Sequence, residues 1–451
     1  MIHYIKIKNF GPIKDEVELN FESEYSEDIY DDIYISAFPD GTRLLKLAYI
    51  YGANASGKTS ILRVFEFLRQ LLLTPIQNKS WSLDFEPFLF CKEPYSKVSS
   101  IELAFYVNQI RHVYIATFNH DAILTEKLSF FSSVKPTEIF SRITDAEKRV
   151  VSIQFGSRIK VPAKERDRLE SNTLHNNTVL GAFAKTNADI PELNALNLWL
   201  NDFFLGMISS GSDLVESTAE LIVDDPKANK WLNSFMNKAD RQISRVIASK
   251  EKSTGAMIRQ HGNSNPDYLT QGSFVRHTDI KPTGALLTPH VMYGGGDLFE
   301  YKRKIELTHH TKDGVFNLPL DAESSGTQRY FALGGPLYKL VHTNALLLVD
   351  ELETSLHPDL MKHFLQSFLA NSEQSQMLIT THNVSLMEEI DFIRKDALWF
   401  TEKKADGSVD LYSAADFDSS VIRKGASLIN AYRAGRLGAK PNLGSPYIAQ
   451  E

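Results

Sequence analysis

Four residues spaced as G-x-x-x-x-G-K-[ST], Gly52, Gly57, Lys58 and Thr59 within YIYGANASGKTS (49–60), supply what a phosphate chain needs. Glycine lets the main chain approach an anion closely, so backbone N–H groups converge on it where a helix begins. On this pattern Gly52, Asn54, Ser56, Gly57 and Ser60 line an ATP molecule. Lys58 runs along the β- and γ-phosphates, and the Thr59 hydroxyl joins the coordination of Mg2+. Chance would produce the pattern about once in a hundred chains of this length.

A P-loop alone does not hydrolyse anything efficiently, because the metal needs a carboxylate and the attacking water must be oriented or deprotonated. The stretch ALLLVDE (345–351) offers both: a buried strand that delivers Asp350 to the Mg2+ sphere and Glu351 as general base. In isolation the same stretch reads as a core strand ending in two solvated acids; beside a P-loop that reading weakens. A second apolar strand, QMLITTHN (376–383), places His382 at a strand tip on the phosphate side, where it reports whether a γ-phosphate is present. Upstream, DAESSGTQRYF (321–331) sets Ser325 and Gly326 just before a helical segment, a turn able to present N–H and hydroxyl donors to an anion, or merely to cap the helix.

The elements that position these residues are legible in outline. LLKLAYIYG (44–52) is an apolar strand entering the P-loop, and Ile61, Phe65, Leu68 and Leu72 beyond it recur at helical spacing. The opening MIHYIKIKNFGPIK alternates apolar and polar residues, and Val17 to Phe21 reads as its hairpin partner. Residues 22–40, acidic and tyrosine-rich, are expected to be a solvated excursion. Between Ser99 and Val161 four period-two runs, IELAFYV, HVYIATF, ILTEKLSFF and VVSIQFG, predict an antiparallel β-subdomain.

Residues 190–250 read as helical. One helix begins at Asp225-Pro226 and carries an apolar stripe of Leu232, Phe235, Met236, Ala239, Ile243 and Val246, with Lys238, Arg241 and Arg245 on a solvated face. Residues 251–300 read as loop. The domain expectation is residues 1–190 as the first part of a head, 191–300 as a mainly helical insertion, and 301–451 as the second part of the head.

Composition narrows the classes. A hydrophobic fraction of 43% with 23% charged residues is that of an ordinary globular chain, and no apolar run reaches bilayer length. The start lacks a secretory h-region, which points to a cytoplasmic protein without membrane contact. Cys91, the sole cysteine, rules out an internal disulfide framework and reads as a buried small hydrophobe. The net charge of −7 lowers the weight of nucleic acid as a partner, although local basic patches survive such averaging.

Taken in order, the P-loop, the small-residue turn, LLLVDE, SLHP and THN resemble the ABC-type ATPases of the SMC, RecF and OLD group. The resemblance implies an α/β fold: a P-loop ABC-type ATPase head with a mainly parallel core sheet, an antiparallel β-subdomain and a helical insertion. It also implies two heads closing around ATP, a homodimer or higher even oligomer in which the signature of one subunit caps the γ-phosphate held by the other. Ser325 and Gly326 match that signature, Ser355 to Pro358 the D-loop, Glu351 the catalytic glutamate and His382 the switch histidine. Thr327 stands where transporters carry a second glycine, and no Q-loop glutamine is assigned.

With NFGPIK, ESSGTQR and YRAGRLGAKPNLG, the chain is most similar to stand-alone anti-phage defence ATPases of the RloA/AbiL type, with the AriA ATPase of PARIS related. Such ATPases work beside a separately encoded effector, often a Toprim or RloB-like nuclease. Only residues 383–451 follow the histidine, too few for a fused Toprim domain, so a nuclease would act in trans. The alternative is a RecF-like DNA-repair ATPase that binds DNA directly. An SMC clamp lacks its heptad run here, and a transporter motor its usual signature. The terminal Arg433, Arg436 and Lys440 either dock a partner, contact nucleic acid or seal the tail onto the head; flanking Tyr432 and Leu437 favour the last.

Overall fold

The computed structural model describes residues 1–25, 31–209, 211–252, 301–388, 393–417 and 428–440. The chain divides into two compact units: Met1–Ile208 with Leu340–Thr354 and Met361–Glu451, and Ser209–Lys339 with Ser355–Leu360.

The first unit opens with β1 (Ile2–Lys8) and β2 (Val17–Asn20), paired antiparallel with Ile7 opposite Val17. The solvated excursion expected over 22–40 is corrected for its second half. Helix α1 (Asp31–Tyr34), β3 (Ile35–Ala37) and β4 (Arg43–Leu45) are packed elements, while residues 26–30 lie outside the described residues. Tyr34 is fully buried and meets the Tyr49 hydroxyl at 2.9 Å, and Asp31 is neutralised by Arg43 at 3.0 Å and by Arg394. Acidic composition hid a segment in which Asp31 is buried and paired with two arginines.

Next come β5 (Leu47–Gly52), buried along its whole length, and α2 (Lys58–Leu73), whose Ile61, Phe65, Leu68 and Leu72 form the buried stripe. Five antiparallel strands follow rather than four: β6 (Ser99–Val107), β7 (Ile110–Phe118), β8 (Ile123–Phe131), β9 (Thr137–Asp145) and β10 (Val150–Phe155). With the first two strands they make one sheet in the order β10-β9-β8-β7-β6-β1-β2. Strand β9 escapes sequence reading because its pattern is inverted. Arg142 and Thr144 face inward, whereas Ile143 between them is 64% exposed. Arg142 lies 3.8 Å from the fully buried Glu126, whose carboxylate also takes the Val179 N–H at 2.8 Å and the Tyr114 hydroxyl at 3.1 Å. Burial pushes the Glu126 carboxyl up to about 7.

Helices α3 (Ala163–Asn172), α4 (Val179–Ala184) and α5 (Pro191–Phe203) lead to β11 (Phe204–Ile208). The second unit begins with α6 (Val215–Asp224) and α7 (Pro226–Ala239), the latter capped by the Asp225 side chain as expected. The helix does not continue to Val246. The backbone turns at Asp240, and Ile243 and Val246 are the buried residues of β12 (Ile243–Lys252). Residues three apart lie on opposite faces of a regular strand, but a register irregularity between Ile243 and Arg245 lets both Ile243 and Val246 be buried, so their spacing mimics a helical step. Residues 251 and 252, expected as loop, belong to β12, and the rest of that expected loop, residues 253–300, lies outside the described residues. Strands β13 (Tyr301–Thr311) and β14 (Gly314–Pro319) complete a three-stranded sheet. Helix α8 (Ser325–His342) approaches α6 and α7 closely at its glycines: a Cβ on Gly334 would sit 2.2 Å from Leu232, and one on Gly335 2.4 Å from Thr218.

The chain returns to the first unit with β15 (Leu346–Val349), α9 (Pro358–Asn371), β16 (Gln376–Thr380), β17 (Leu398–Lys403) and β18 (Val409–Ser413), and ends its described course in α10 (Leu428–Arg433). The core sheet runs β11-β15-β16-β5-β17-β18, parallel throughout except for the last pair. Uninterrupted apolar strands are what a parallel sheet covered on both faces requires, and β5, β15 and β16 are buried at every position. Their carboxyl ends lie side by side, with β16 between the other two. The tail packs within its own unit: Leu437 is fully buried, its carbonyl accepts the Tyr412 hydroxyl at 2.9 Å, and Tyr432 stacks on Phe400. Pro441 to Gly444 lie outside the described residues.

Candidate nucleotide site

Ligands favour the carboxyl edge of a parallel sheet, and the predicted residues of the first unit gather there. Gly52 ends β5, and Gly57 caps α2 at φ +98°, a left-handed conformation that only glycine adopts freely. Gly52 needs its missing side chain for a different reason. A Cβ there would lie 2.3 Å from the Ser56 hydroxyl, 2.4 Å from that of Thr401 and 2.8 Å from the Thr401 carbonyl. Ser56 is buried, with its hydroxyl 2.7 Å from Thr401 and its N–H on the Ala53 carbonyl, so it fixes the loop from inside rather than offering its side chain outward. Asn54 is exposed at the loop tip beside Ala55, itself at φ +60°. In the first turn of α2 the Ser60 and Ile61 N–H groups donate to the Gly57 carbonyl, whereas those of Lys58 and Thr59 precede any intrahelical acceptor and are left as donors for an anion.

Lys58 is buried and donates to the carbonyls of Gly52 (3.0 Å) and Ala53 (3.1 Å). Burial lowers its pKa, opposed by Asp350, Glu353 and Glu351, which places three carboxylates around one ammonium. The Thr59 hydroxyl lies 3.1 and 3.0 Å from the two carboxylate oxygens of Asp350, joining α2 to the end of β15 across 291 positions of chain. A hydroxyl beside a carboxylate is the oxygen donor set that Mg2+ prefers, with water and phosphate completing its sphere. Among the described residues no cluster of three or more His, Cys, Asp or Glu side chains forms a self-sufficient metal cage. Thr59 and Asp350 supply oxygen donors of the kind that fit Mg2+.

Three contacts at this edge are invisible in the sequence reading. Thr380 donates to Asp350 at 2.6 Å and accepts the Glu351 N–H at 2.9 Å, and Glu353 accepts the His382 N–H at 2.5 Å. The available signals were a hydroxyl residue ending an apolar strand and an acid two positions beyond Glu351. Glu351 itself is half-buried at φ +52°, a left-handed position that is uncommon for a non-glycine residue. His382 is exposed; desolvation and then Lys58 lower its imidazole pKa against the pull of Glu353, Glu351 and Asp350, which keeps it neutral at pH 7.

Ser325 and Gly326 fall in the second unit, at the start of α8. Ser324 caps that helix, its hydroxyl accepting the Thr327 N–H at 3.1 Å, and leaves Ser325 exposed in the first turn. Gly326 approaches the Ser355 carbonyl so closely that a Cβ would sit 3.0 Å from it, and Ser355 is left-handed at φ +63°. The structure thus brings the small-residue turn against the SLHP segment that the sequence placed in the same family of motifs.

Residues 47–388 match a protein family described as "AAA domain, putative AbiEii toxin, Type IV TA system". The chain belongs to this family. The match begins at β5 and closes just beyond the strand that carries His382, so every motif assembled above falls inside it. No curated protein matches the chain. Similar solved structures include an SMC head bound to the C-winged helix domain of ScpA, at 12% identity and TM-score 0.43 over 91% of this chain and 97% of that one. The SMC head domain from Thermotoga maritima has 12% identity and TM-score 0.39 over 91% and 98%. An Smc head with an extended coiled coil, bound to the C-terminal domain of ScpA and derived from Pyrococcus furiosus, has 12% identity and TM-score 0.39 over 97% and 99%.

Proposed function

We propose that this chain binds and hydrolyses ATP with Mg2+ as an ABC-type ATPase, and that the cycle controls a separately encoded effector in anti-phage defence. The observation that carries the enzymatic part is the meeting of Thr59 and Asp350 at 3.0 Å, two residues far apart in sequence that fit one cation. Bound Mg2+ would neutralise charge on the phosphates. The chain's own residues do the remainder. Lys58 exchanges its two loop carbonyls for phosphate oxygens, and Asp350 is held in place by Thr380. Glu351, raised at the strand end, accepts a proton from the attacking water. Ser325, exposed at a helix start, and the half-buried Gly326 would cap the γ-phosphate held by a second copy, so that ATP bridges a homodimer or a higher even oligomer.

Support for the defence role is the family description, which names a putative toxin of a toxin–antitoxin system, together with the likeness of NFGPIK, ESSGTQR and the tail to stand-alone defence ATPases. The effector would be a Toprim or RloB-like nuclease in trans. A cytoplasmic location accords with the finding that, among the described residues, no helix is long and apolar enough to cross a membrane.

Phosphate release from ATP by purified protein tests the enzymatic reading. Lys58→Ala is expected to lose ATP binding, and Glu351→Gln to bind ATP, stop turnover and accumulate the closed assembly on size exclusion. Undiminished affinity in Lys58→Ala would show that the phosphates lie elsewhere. Pull-down of a neighbouring nuclease that weakens phage infection supports the control role; tight ATP-dependent DNA binding with no such partner would favour the RecF-like alternative.

A further inference from the structure

The carboxylate of Glu353 has two oxygens in different circumstances. Oε1 takes the His382 N–H at 2.5 Å, whereas Oε2 is buried and has no hydrogen-bond partner among the described residues. A buried oxygen left unsatisfied is destabilising, so a residue with one satisfied oxygen and one orphan is not explained by stability alone. The contact it does make closes a ladder. Thr380 bonds Asp350, Glu351 and Leu352 bond back to Thr380, and Glu353 reaches one step further to His382. Beyond Thr380 the Thr381 N–H reaches the Ile50 carbonyl at 3.2 Å and the Asn383 carbonyl accepts the Tyr51 hydroxyl at 3.2 Å, so the Glu353 rung is the one that takes the N–H of the exposed His382 itself.

We propose that Glu353 is a positioning residue for the ATPase reaction: by length rather than by charge, it holds the His382 backbone at the height of Asp350 and Glu351. This rests on the ATPase reading above, in which His382 faces the γ-phosphate. Reach and charge are separable by substitution. Glu353→Gln keeps the carbonyl oxygen at the same distance and removes the charge; Glu353→Asp keeps the charge and shortens the arm by one methylene.

The test measures His382 amide hydrogen exchange in the nucleotide-free protein, and kcat and KM for ATP, in Glu353→Gln, Glu353→Asp and Glu353→Ala. Reach predicts that Gln retains wild-type protection and most of kcat. Asp and Ala should exchange at least about tenfold faster and lose about ten- to a hundredfold in kcat, the scale of a misplacement near 1 Å, with KM within about twofold. The opposite order, Asp wild-type-like and Gln impaired, or unchanged exchange in all three, would overturn the proposal. Should Ala fail to fold, Gln and Asp decide it between them. Should the wild type prove inert toward ATP, the ATPase reading fails while the exchange measurement still judges the tether.

Discussion

Gly52→Ala probes the site where loop and sheet are packed most tightly. Gly52 does not occupy a left-handed conformation, so alanine meets no backbone penalty, and the whole effect is steric. The added methyl would lie 2.3 Å from one hydroxyl, 2.4 Å from a second and 2.8 Å from the Thr401 carbonyl. The two hydroxyls are bonded to each other at 2.7 Å, so moving either one breaks that bond, about 0.5–1.5 kcal/mol net. Overpacking adds about 1–3 kcal/mol, because the carbonyl belongs to β17, whose Thr401 pairs with Gly52, and cannot swing aside. The sum is about 1.5–4.5 kcal/mol, read as a fall in the urea midpoint at unchanged slope. In a Ser56→Ala/Thr401→Ala background only the carbonyl contact remains, and the penalty should drop to about 1 kcal/mol. A Gly52→Ala protein within 0.5 kcal/mol of wild type, or the same penalty in both backgrounds, would refute this account of the glycine.

Asp350→Asn should leave ATP binding in EDTA nearly intact while weakening the Mg2+-dependent part at least about tenfold; equal losses with and without Mg2+ would remove Asp350 from the cation. Ser324→Ala should lower stability by about 1 kcal/mol through loss of the α8 cap, as measured by urea unfolding; no change would mean the cap is idle. His112, buried against Phe105, has its pKa lowered to about 4 by burial, so the folded protein keeps it neutral while the unfolded chain protonates it near 6.5. Its contribution is therefore complete above pH 6.5 and is lost as pH falls through 4, by roughly 3 kcal/mol in all. The stability difference between wild type and His112→Gln should shrink over that window; a difference independent of pH would contradict a neutral buried imidazole.

The P-loop, the strand LLLVDE and the strand ahead of His382 were legible because each signal is local: glycine chemistry over eight positions, or an unbroken apolar run that only a covered parallel strand tolerates. The antiparallel subdomain was legible wherever the buried face is apolar. It was lost at β9, where Arg142 occupies that face and is neutralised by Glu126 from the neighbouring strand. Helix and strand were confused at Ile243 and Val246 because a register irregularity between Ile243 and Arg245 buries two strand residues at a helical spacing.

By itself, then, the sequence determined which residues can hold a triphosphate and the types of element that carry them, since both follow from side-chain chemistry and short-range periodicity. Which strands become neighbours was decided by the tertiary structure alone. Placing β16 between β5 and β15 is what lets Thr59 reach Asp350, Thr380 brace it and Glu353 hold His382. Those contacts span 29 to 291 positions of chain, and no local preference encodes them; they exist because burying three apolar strands in parallel brings their carboxyl ends to one edge.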